Sequence, residues 1–113
     1  MPRILPVLLL SSLARALQAH AHLEEASPAE GSVLHGAPHE LVLRFSEPAR
    51  LTTLTLEREG GAPQKIAPLP RKSEARIIVP LPVLPAGHYQ FHWRVLSADG
   101  HVVPGELHFT LNP

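Results

Sequence analysis

A stretch of alternating side chains near the C-terminus, residues 87–111 (GHYQFHWRVLSADGHVVPGELHFTL), restricts the fold more than any other part of the sequence. In its first half Tyr89, Phe91 and Trp93 alternate with polar residues, and this period of two predicts a β-strand with one buried face. A loop with an Asp-Gly-His sequence follows, and the alternation then resumes. Because the stretch holds the only Tyr, the only Trp and two of the 3 Phe residues, we predict that two neighbouring strands form the centre of the core.

The remaining sequence predicts further short strands separated by turns. Leu41, Leu43 and Phe45 share one face of a run that Pro48 is expected to end, because Pro cannot donate to the ladder. A total of 13 Pro and 7 Gly residues favours turns and short strands over helices. Strands at a spacing of roughly 8–12 residues predict an all-β domain, a sandwich or small barrel of about seven short strands.

Residues 1–19 differ in composition from the rest of the chain. A positively charged start precedes a mostly apolar run from Ile4 to Leu17, and small residues follow at Ala19 and Ala21, which is the layout of a secretory signal peptide. The run is shorter than the ~20 apolar residues of a membrane span. A buried N-terminal helix would be the only helix in a chain otherwise patterned for strands. We therefore predict a cleaved signal peptide and one domain, residues 20–113.

The position of the cleavage determines the first residue of the mature chain. Cleavage after Ala19 leaves His20 at the N-terminus, whereas cleavage after Ala21 leaves His22 there. The preference for small residues around the cut fits the second position at least as well as the first. Both positions remain open from the local sequence, and either one gives a mature chain that begins with His.

Composition excludes several classes of function. The chain has no Cys, so disulfides, thiolate metal sites and Cys nucleophiles are all excluded. Lys and Arg total 10, as do Asp and Glu, and without a basic run we expect no nucleic-acid binding. The 8 His residues are an unusually high number for this length. Most of them are expected to be ordinary surface or turn residues: His35, His39, His88, His92 and His108.

Three other residues together have the chemistry of a copper site. If His20 is the first residue, its α-amine and ring Nδ1 can chelate one metal ion, since an amine with a pKa of about 8 gives up its proton readily near neutral pH. Asp99 and His101 add a carboxylate oxygen and a third nitrogen, and Gly100 between them allows the loop the backbone angle it needs. A mixed set of nitrogen and oxygen ligands in a tetragonal plane suits Cu(II). We therefore predict a Cu(II) site at His20, Asp99 and His101.

A second way of binding Cu(II) remains open in the sequence His20-Ala21-His22. The α-amine, two deprotonated backbone amides and the imidazole of His22 can wrap one ion without any residue of the later loop. That arrangement needs a flexible N-terminus, whereas the pattern around Leu23 predicts a strand. We rank it second, and His22 is then an additional ligand, a residue that supports the site or an exposed side chain.

Three segments follow the predicted signal peptide in a fixed order: HAHLEEASPAEGSVL, LVLRFSEPA and GHYQFHWRVLSADGHVVPGELHFTL. Together they resemble the CopC family of copper-resistance proteins, small periplasmic copper-binding proteins with a Greek-key β-barrel or sandwich. The resemblance covers most of residues 20–113 and implies a fold of the immunoglobulin-like or cupredoxin-like kind. It implies cleavage after Ala19, and a Cu(II) site in which the amine and imidazole of His20 are joined by Asp99 and His101.

The resemblance also implies a function. We expect a periplasmic Cu(II)-binding protein for copper sequestration, trafficking or resistance that is not an enzyme, a monomer whose partner is a CopD-like copper transporter of the inner membrane. Some family members bind Cu(I) in a Met-rich loop, but the corresponding residues 60–72 contain no Met, so we predict a Cu(II)-only variant. Glu47 is expected to be a turn residue rather than a carboxylate that orders the site. The alternative is a secreted immunoglobulin-like interaction module without a tight metal site.

Overall fold

Seven β-strands and no helix make up the part of the chain that the computed structural model describes, residues 20–113. The strands are β1 Leu23–Ser27, β2 Ser32–Leu34, β3 Glu40–Arg58, β4 Gln64–Lys65, β5 Glu74–Pro80, β6 Gly87–Ser97 and β7 Val102–Leu111. The prediction of an all-β domain with seven strands is confirmed, although β3 is not short. The predicted signal peptide, residues 1–19, lies outside the described residues. Within residues 20–113, no helix has the length and apolarity that crossing a bilayer requires.

The long strand β3 belongs to both layers of a curled sheet with the order β1-β3-β6-β7-β2. Its first part, residues 40–44, pairs antiparallel with β5 on one side and β1 on the other. Its second part, residues 49–58, pairs antiparallel with β6, and β4 lies along its other edge. β6 pairs in turn with β7, and β2 joins the far edge of β7 in parallel. One strand therefore carries the chain from one layer to the other.

Pro48 interrupts a ladder of β3 without ending the strand. We predicted that the strand stops there, and this was wrong, because β3 continues through Pro48. The pairing of β3 with β5 is irregular between Arg44 and Ala49, a stretch in which Pro48 offers no N–H to the neighbouring strand. The backbone stays extended, and β3 pairs with β1 and β5 before this stretch and with β6 after it.

The core lies between the layers and is centred on the inward face of β6. Tyr89, Phe91 and Trp93 are at most 4% exposed. The ring of Phe109 on β7 stacks against Tyr89 and Phe91, with ring centroids 5.1 and 5.6 Å apart. Gly105 lies against Trp93, since a Cβ there would come within 2.3 Å of the indole ring. Burial of each aromatic side chain contributes about 1.5–3 kcal/mol. The predicted centre of the core is confirmed.

Two segments meet at one end of the sandwich. The turn between β6 and β7 is closed by the Gly100 N–H, which donates to the Ser97 carbonyl, and by the Ser97 N–H, which donates to the His101 carbonyl, both at 2.9 Å. Gly100 has a φ of 88°, in the left-handed region that favours glycine. β1 begins at the same end, where it pairs with β3 just before the irregular stretch. Residues 20–22, which precede β1, consequently lie beside the turn.

Candidate metal centre

The first described residues are fixed to the sandwich through their backbone. The N–H of Ala21 donates to the Ser97 hydroxyl at 3.1 Å, and the N–H of His22 donates to the Ser46 hydroxyl at 2.9 Å. The N–H of Ser46 donates in return to the His22 carbonyl at 2.7 Å. Ala21 is fully buried and belongs to the core. These contacts hold His20 at the end of β6, although Ala21 and Ser97 are 76 positions apart in the sequence.

The turn after β6 holds Asp99 and His101 against each other. The backbone N–H of His101 donates to Asp99 Oδ1 at 3.1 Å, and the His101 ring Nδ1 donates to Asp99 Oδ2 at 2.8 Å. An Asp that accepts a hydrogen bond from the backbone two residues later is a common device of tight turns. The local sequence therefore both forms the turn and brings a carboxylate and an imidazole together.

His20 completes a group of three side chains. Its Nδ1 lies 3.2 Å from Asp99 Oδ2, and its ring meets the His101 ring edge-on, with centroids 4.7 Å apart. Potential ligand atoms of the three residues lie within 4.8 Å of one another, and residues 20–113 contain no second group of this kind. The His20, Asp99 and His101 side chains are 43%, 21% and 68% exposed, so ions in solution can reach them. The structure thus brings together all three residues that the sequence predicted.

One oxygen, Asp99 Oδ2, faces the ring nitrogens of both imidazoles. The hydrogen bond from the His101 side chain is the main reason why the pKa of Asp99 lies below its ordinary value. The His101 backbone N–H and the charges of His101 and His20 also lower this pKa, while desolvation opposes them. Asp99 is therefore an anion at neutral pH, in a position where it can bind a cation.

The Nδ1 atom of His20 is buried and forms no hydrogen bond, although it lies close to Asp99 Oδ2. Buried polar atoms without a partner are rare in folded proteins and cost about 1–3 kcal/mol each. A cation bound by this nitrogen would give it a partner, and the carboxylate of Asp99 would offset the positive charge. Two imidazoles and one carboxylate are suitable ligands for a divalent transition metal. The residues at this end of the sandwich therefore fit such an ion.

Two further residues that the sequence suggested as possible parts of the site lie outside this group. His22 is exposed, and its contacts with Ser46 are made by its backbone. Glu47 is half-buried and lies within β3, in the irregular stretch, rather than in the turn that we expected. Neither side chain contributes a potential ligand atom to the group formed by His20, Asp99 and His101.

The three histidines on the outer face of the β6–β7 hairpin each have a partner of their own. The pairs, with the distance from the His Nδ1 atom, are His88 with Thr110 (2.8 Å), His92 with Glu106 (3.8 Å) and His108 with Glu30 (3.6 Å). All three histidines are exposed, which confirms the prediction that they face solvent.

Sequence reasoning did not identify Ser46 and Ser97, whose hydroxyls hold the N-terminal backbone. A signal for Ser97 was present, because it follows Trp93 and Val95 in the inward-facing series of β6 and is 3% exposed. A Ser at a buried position needs a hydrogen-bond partner, and the Ala21 N–H is that partner. Ser46 is exposed and carries no comparable signal.

The fold and the site define a class of protein, a small β-sandwich domain that presents two imidazoles and a carboxylate at one end. A family model described as the CopC domain matches residues 23–112, which is nearly all of the described chain. This chain belongs to the CopC family, and the resemblance seen in the sequence is confirmed. Membership of this family does not favour the alternative of an immunoglobulin-like interaction module.

Three relatives and one solved structure show how far the similarity extends. The chain is 32% identical to Protein YobA of Escherichia coli (strain K12) over 95% of this chain and 90% of that protein. It is 32% identical to copper resistance protein C of Xanthomonas campestris pv. juglandis, over 93% and 91% of the two chains. It is 28% identical to copper transport protein CutJ of Bacillus subtilis (strain 168), over 96% of this chain but 21% of CutJ. The crystal structure of CopC from Methylosinus trichosporium OB3b has a TM-score of 0.71 and 26% identity, over 83% of this chain and 95% of that chain.

Proposed function

We propose that this protein binds Cu(II) through His20, Asp99 and His101. The observation that carries the proposal is the group itself, in which residues from opposite ends of the sequence place potential ligand atoms within 4.8 Å of one another. The unpartnered Nδ1 of His20 and the anionic Asp99 offer a nitrogen and an oxygen, and His101 offers a second nitrogen. Such a mixed set suits the tetragonal coordination of Cu(II). Relatives named for copper resistance and copper transport support this choice of metal.

The further ligand in this proposal is the α-amine of His20, which cleavage after Ala19 would free. The amine and Nδ1 belong to one residue and close a chelate ring, and the amine loses its proton readily near neutral pH. The signal-like composition of residues 1–19 supports the cleavage. A protein processed in this way is exported from the cytoplasm, and the resemblance to the CopC family supports the periplasm as its location. The proposed copper site is complete only after the signal peptide has been removed.

In this proposal the bound Cu(II) is cargo for sequestration, trafficking or resistance, and the protein is a carrier rather than an enzyme. The His20 and His101 side chains are 43% and 68% exposed, which gives a partner access to the ion. A region similar to nearly all of this chain makes up 21% of CutJ, a copper transport protein. That relation supports a carrier that exchanges copper with a CopD-like transporter in the inner membrane, and we propose that the carrier is a monomer.

The composition of the chain supports binding of the cupric rather than the cuprous ion. Met1 is the only Met, and there is no Cys. Cu(I) prefers soft thioether and thiolate ligands, whereas imidazole, amine and carboxylate groups suit Cu(II). We expect the protein to lose its copper when the ion is reduced in the presence of a Cu(I) chelator. Retention of Cu(I) under these conditions would contradict this part of the proposal.

The test of the proposed site combines the mass of the secreted protein with a Cu(II) titration. We expect an intact mass that begins at His20, and a single Cu(II) per chain that remains bound after excess metal is removed. A version with one extra Met before His20 keeps all three side chains but has no free amine on His20, and we expect much weaker binding. Equal affinity of the two versions, or a secreted protein that starts at another residue, would overturn the site.

A further inference from the structure

The mature N-terminus contains two competing ways to hold Cu(II). The first uses His20 together with Asp99 and His101. The second wraps the ion with the α-amine of His20, the backbone nitrogens of Ala21 and His22, and the His22 imidazole. In the second arrangement each of the two backbone amides releases its proton to the solvent, and the deprotonated nitrogen binds the ion. Both N–H groups must therefore be free of other partners.

In the structure, both of these N–H groups have partners. Ala21 donates to the hydroxyl of Ser97 at 3.1 Å, with Ala21 fully buried and Ser97 3% exposed. His22 donates to the hydroxyl of Ser46 at 2.9 Å, and the N–H of Ser46 donates back to the His22 carbonyl at 2.7 Å. Wrapping an ion in the second arrangement would break these bonds and draw Ala21 out of the core.

We propose that Ser46 and Ser97 are positioning residues that select between the two arrangements. By accepting hydrogen bonds from Ala21 and His22, they keep the N-terminal backbone beside the sandwich and direct Cu(II) to the site of His20. This inference rests on the proposed function, since it concerns the choice between two modes of copper binding. Neither Ser is a ligand in either arrangement, and each acts through a backbone N–H.

Ser97 connects the two halves of the site. Its hydroxyl holds Ala21, while its backbone forms both hydrogen bonds that close the turn carrying Asp99 and His101. Replacement of Ser97 by Ala keeps this backbone and every ligand, and removes only the acceptor of the Ala21 N–H. Each of the two hydrogen bonds is expected to change the equilibrium between the two arrangements by a few-fold. Loss of both hydroxyls should therefore shift this equilibrium towards the second arrangement by roughly tenfold or more.

The test compares the mature protein with Ser46→Ala, Ser97→Ala and the double variant, each loaded with one equivalent of Cu(II). The visible absorption band and the EPR spectrum report how many nitrogen atoms bind the ion, and more nitrogen ligands move the band to shorter wavelength. For the parent, we expect His101→Ala to change the spectrum and His22→Ala to leave it unchanged. For the double variant, we expect a band at shorter wavelength that His22→Ala removes and that His101→Ala leaves in place.

Hydrogen exchange in the metal-free protein provides a readout that does not involve copper. We expect the N–H groups of Ala21 and His22 to exchange at least about tenfold faster in the double variant than in the parent. Ser32→Ala is the matched control, because the Ser32 hydroxyl is buried, has no hydrogen-bond partner and lies on β2. We expect this control to change neither the exchange of these two groups nor the Cu(II) spectrum.

The outcomes separate this inference from the function on which it rests. A double variant whose spectrum still depends on His101 and not on His22 would overturn the role of the serines and leave the proposed site intact. A parent protein that retains no Cu(II), or whose spectrum depends on His22, would overturn the proposed site and this inference together. If Ser97→Ala does not fold, Ser46→Ala alone still tests the idea, because its bond to His22 is exposed and faster exchange at His22 is required.

Discussion

Two sets of histidines, one on the outer face of the β6–β7 hairpin and one at its end, differ in how their partners are shared and in how exposed their ring nitrogens are. The three on the outer face of β6 and β7 each have a separate partner. At the end of the hairpin, His20 and His101 face one oxygen of Asp99, and His20 Nδ1 forms no hydrogen bond. The difference shows that a high number of histidines does not locate a metal centre. The informative features are a buried ring nitrogen without a hydrogen-bond partner and one carboxylate oxygen that faces two imidazoles.

The strongest test of this comparison replaces one carboxylate from each set by an amide. Asp99→Asn removes the anion that two imidazoles share, and we expect the Cu(II) affinity to fall by at least about 100-fold, since loss of even an outer partner of a metal ligand costs 10–100-fold. Glu106→Gln makes the same chemical change beside His92 and is expected to leave the affinity within about threefold of the parent. Titration against a competing chelator measures both. Equal losses would remove the distinction between the two sets.

Tyr89, on the inward face of β6, extends the comparison to a titratable group in the core. Its pKa is shifted mainly by burial rather than by a charged partner. Desolvation raises this pKa, with the charge of Arg58 opposing, and the hydroxyl donates to the Pro85 carbonyl. The raised value contributes stability that is present below the unfolded pKa of about 10 and is lost as the pH rises through the folded pKa. Tyr89→Phe is expected to lower the free energy of unfolding by about 1 kcal/mol at pH 7, and to make its decline above pH ~10 less steep. Denaturant unfolding of the parent and Tyr89→Phe, at pH 7 and above pH ~10, measures both effects. If the free energy of unfolding declines equally steeply above pH ~10 in the two proteins, the prediction is contradicted.

Asp99 has the opposite dependence on pH in the metal-free protein. Its pKa is lowered from an ordinary value of 3.8, chiefly by the hydrogen bond from the His101 side chain. The corresponding stability is present above the unfolded pKa and is lost as the pH falls through the folded pKa. We expect the parent to melt a few degrees above Asp99→Asn at neutral pH, and the gap to close in acid. Thermal melts between neutral pH and pH ~2.5 test this. A gap that stays constant would show that Asp99 is not stabilised by its partners.

The smallest effect is expected on the outer face of the hairpin. His92→Ala removes an imidazole that is 46% exposed and 3.8 Å from Glu106. Because exposed pairs of this kind contribute little, we expect the free energy of unfolding to change by no more than about 0.5 kcal/mol. We expect the Cu(II) affinity to be unchanged, whereas His101→Ala, the matched substitution at the end of the hairpin, lowers it strongly. A comparable loss of copper in both variants would mean that the outer face also binds the ion.

Much of the fold could be predicted from the sequence because alternation is a local property. The period of two in β6 placed Tyr89, Phe91 and Trp93 in the core, and the structure agrees. The continuity of β3 through Pro48 could not be predicted, because it depends on which neighbouring strand needs an N–H from that residue. The parallel pairing of β2 with β7 could not be predicted either, because the three residues of β2 are too few to show an alternation of apolar and polar side chains.

The side chains of the candidate site were predictable from the sequence, whereas the hydrogen bonds that hold His20 in place were not. Asp99 and His101 share a short turn, so their proximity follows from local sequence. The nearness of His20 was predicted from the chelating chemistry of an N-terminal His, and the resemblance to the CopC family implied the same three residues. The bonds from Ala21 to Ser97 and from His22 to Ser46 join residues 76 and 24 positions apart. Contacts of this kind depend on how the strands are aligned in space, which the amino-acid pattern does not reveal.

The length of β3 has a consequence for how the domain comes apart. This one strand supplies a neighbour to β1, β4, β5 and β6, and it runs through both layers. Neither layer can detach as an independent unit, because each contains part of the same continuous strand. We therefore expect the opening of one layer to be coupled to the opening of the other, so that cleavage within β3 itself should follow the global stability of the domain.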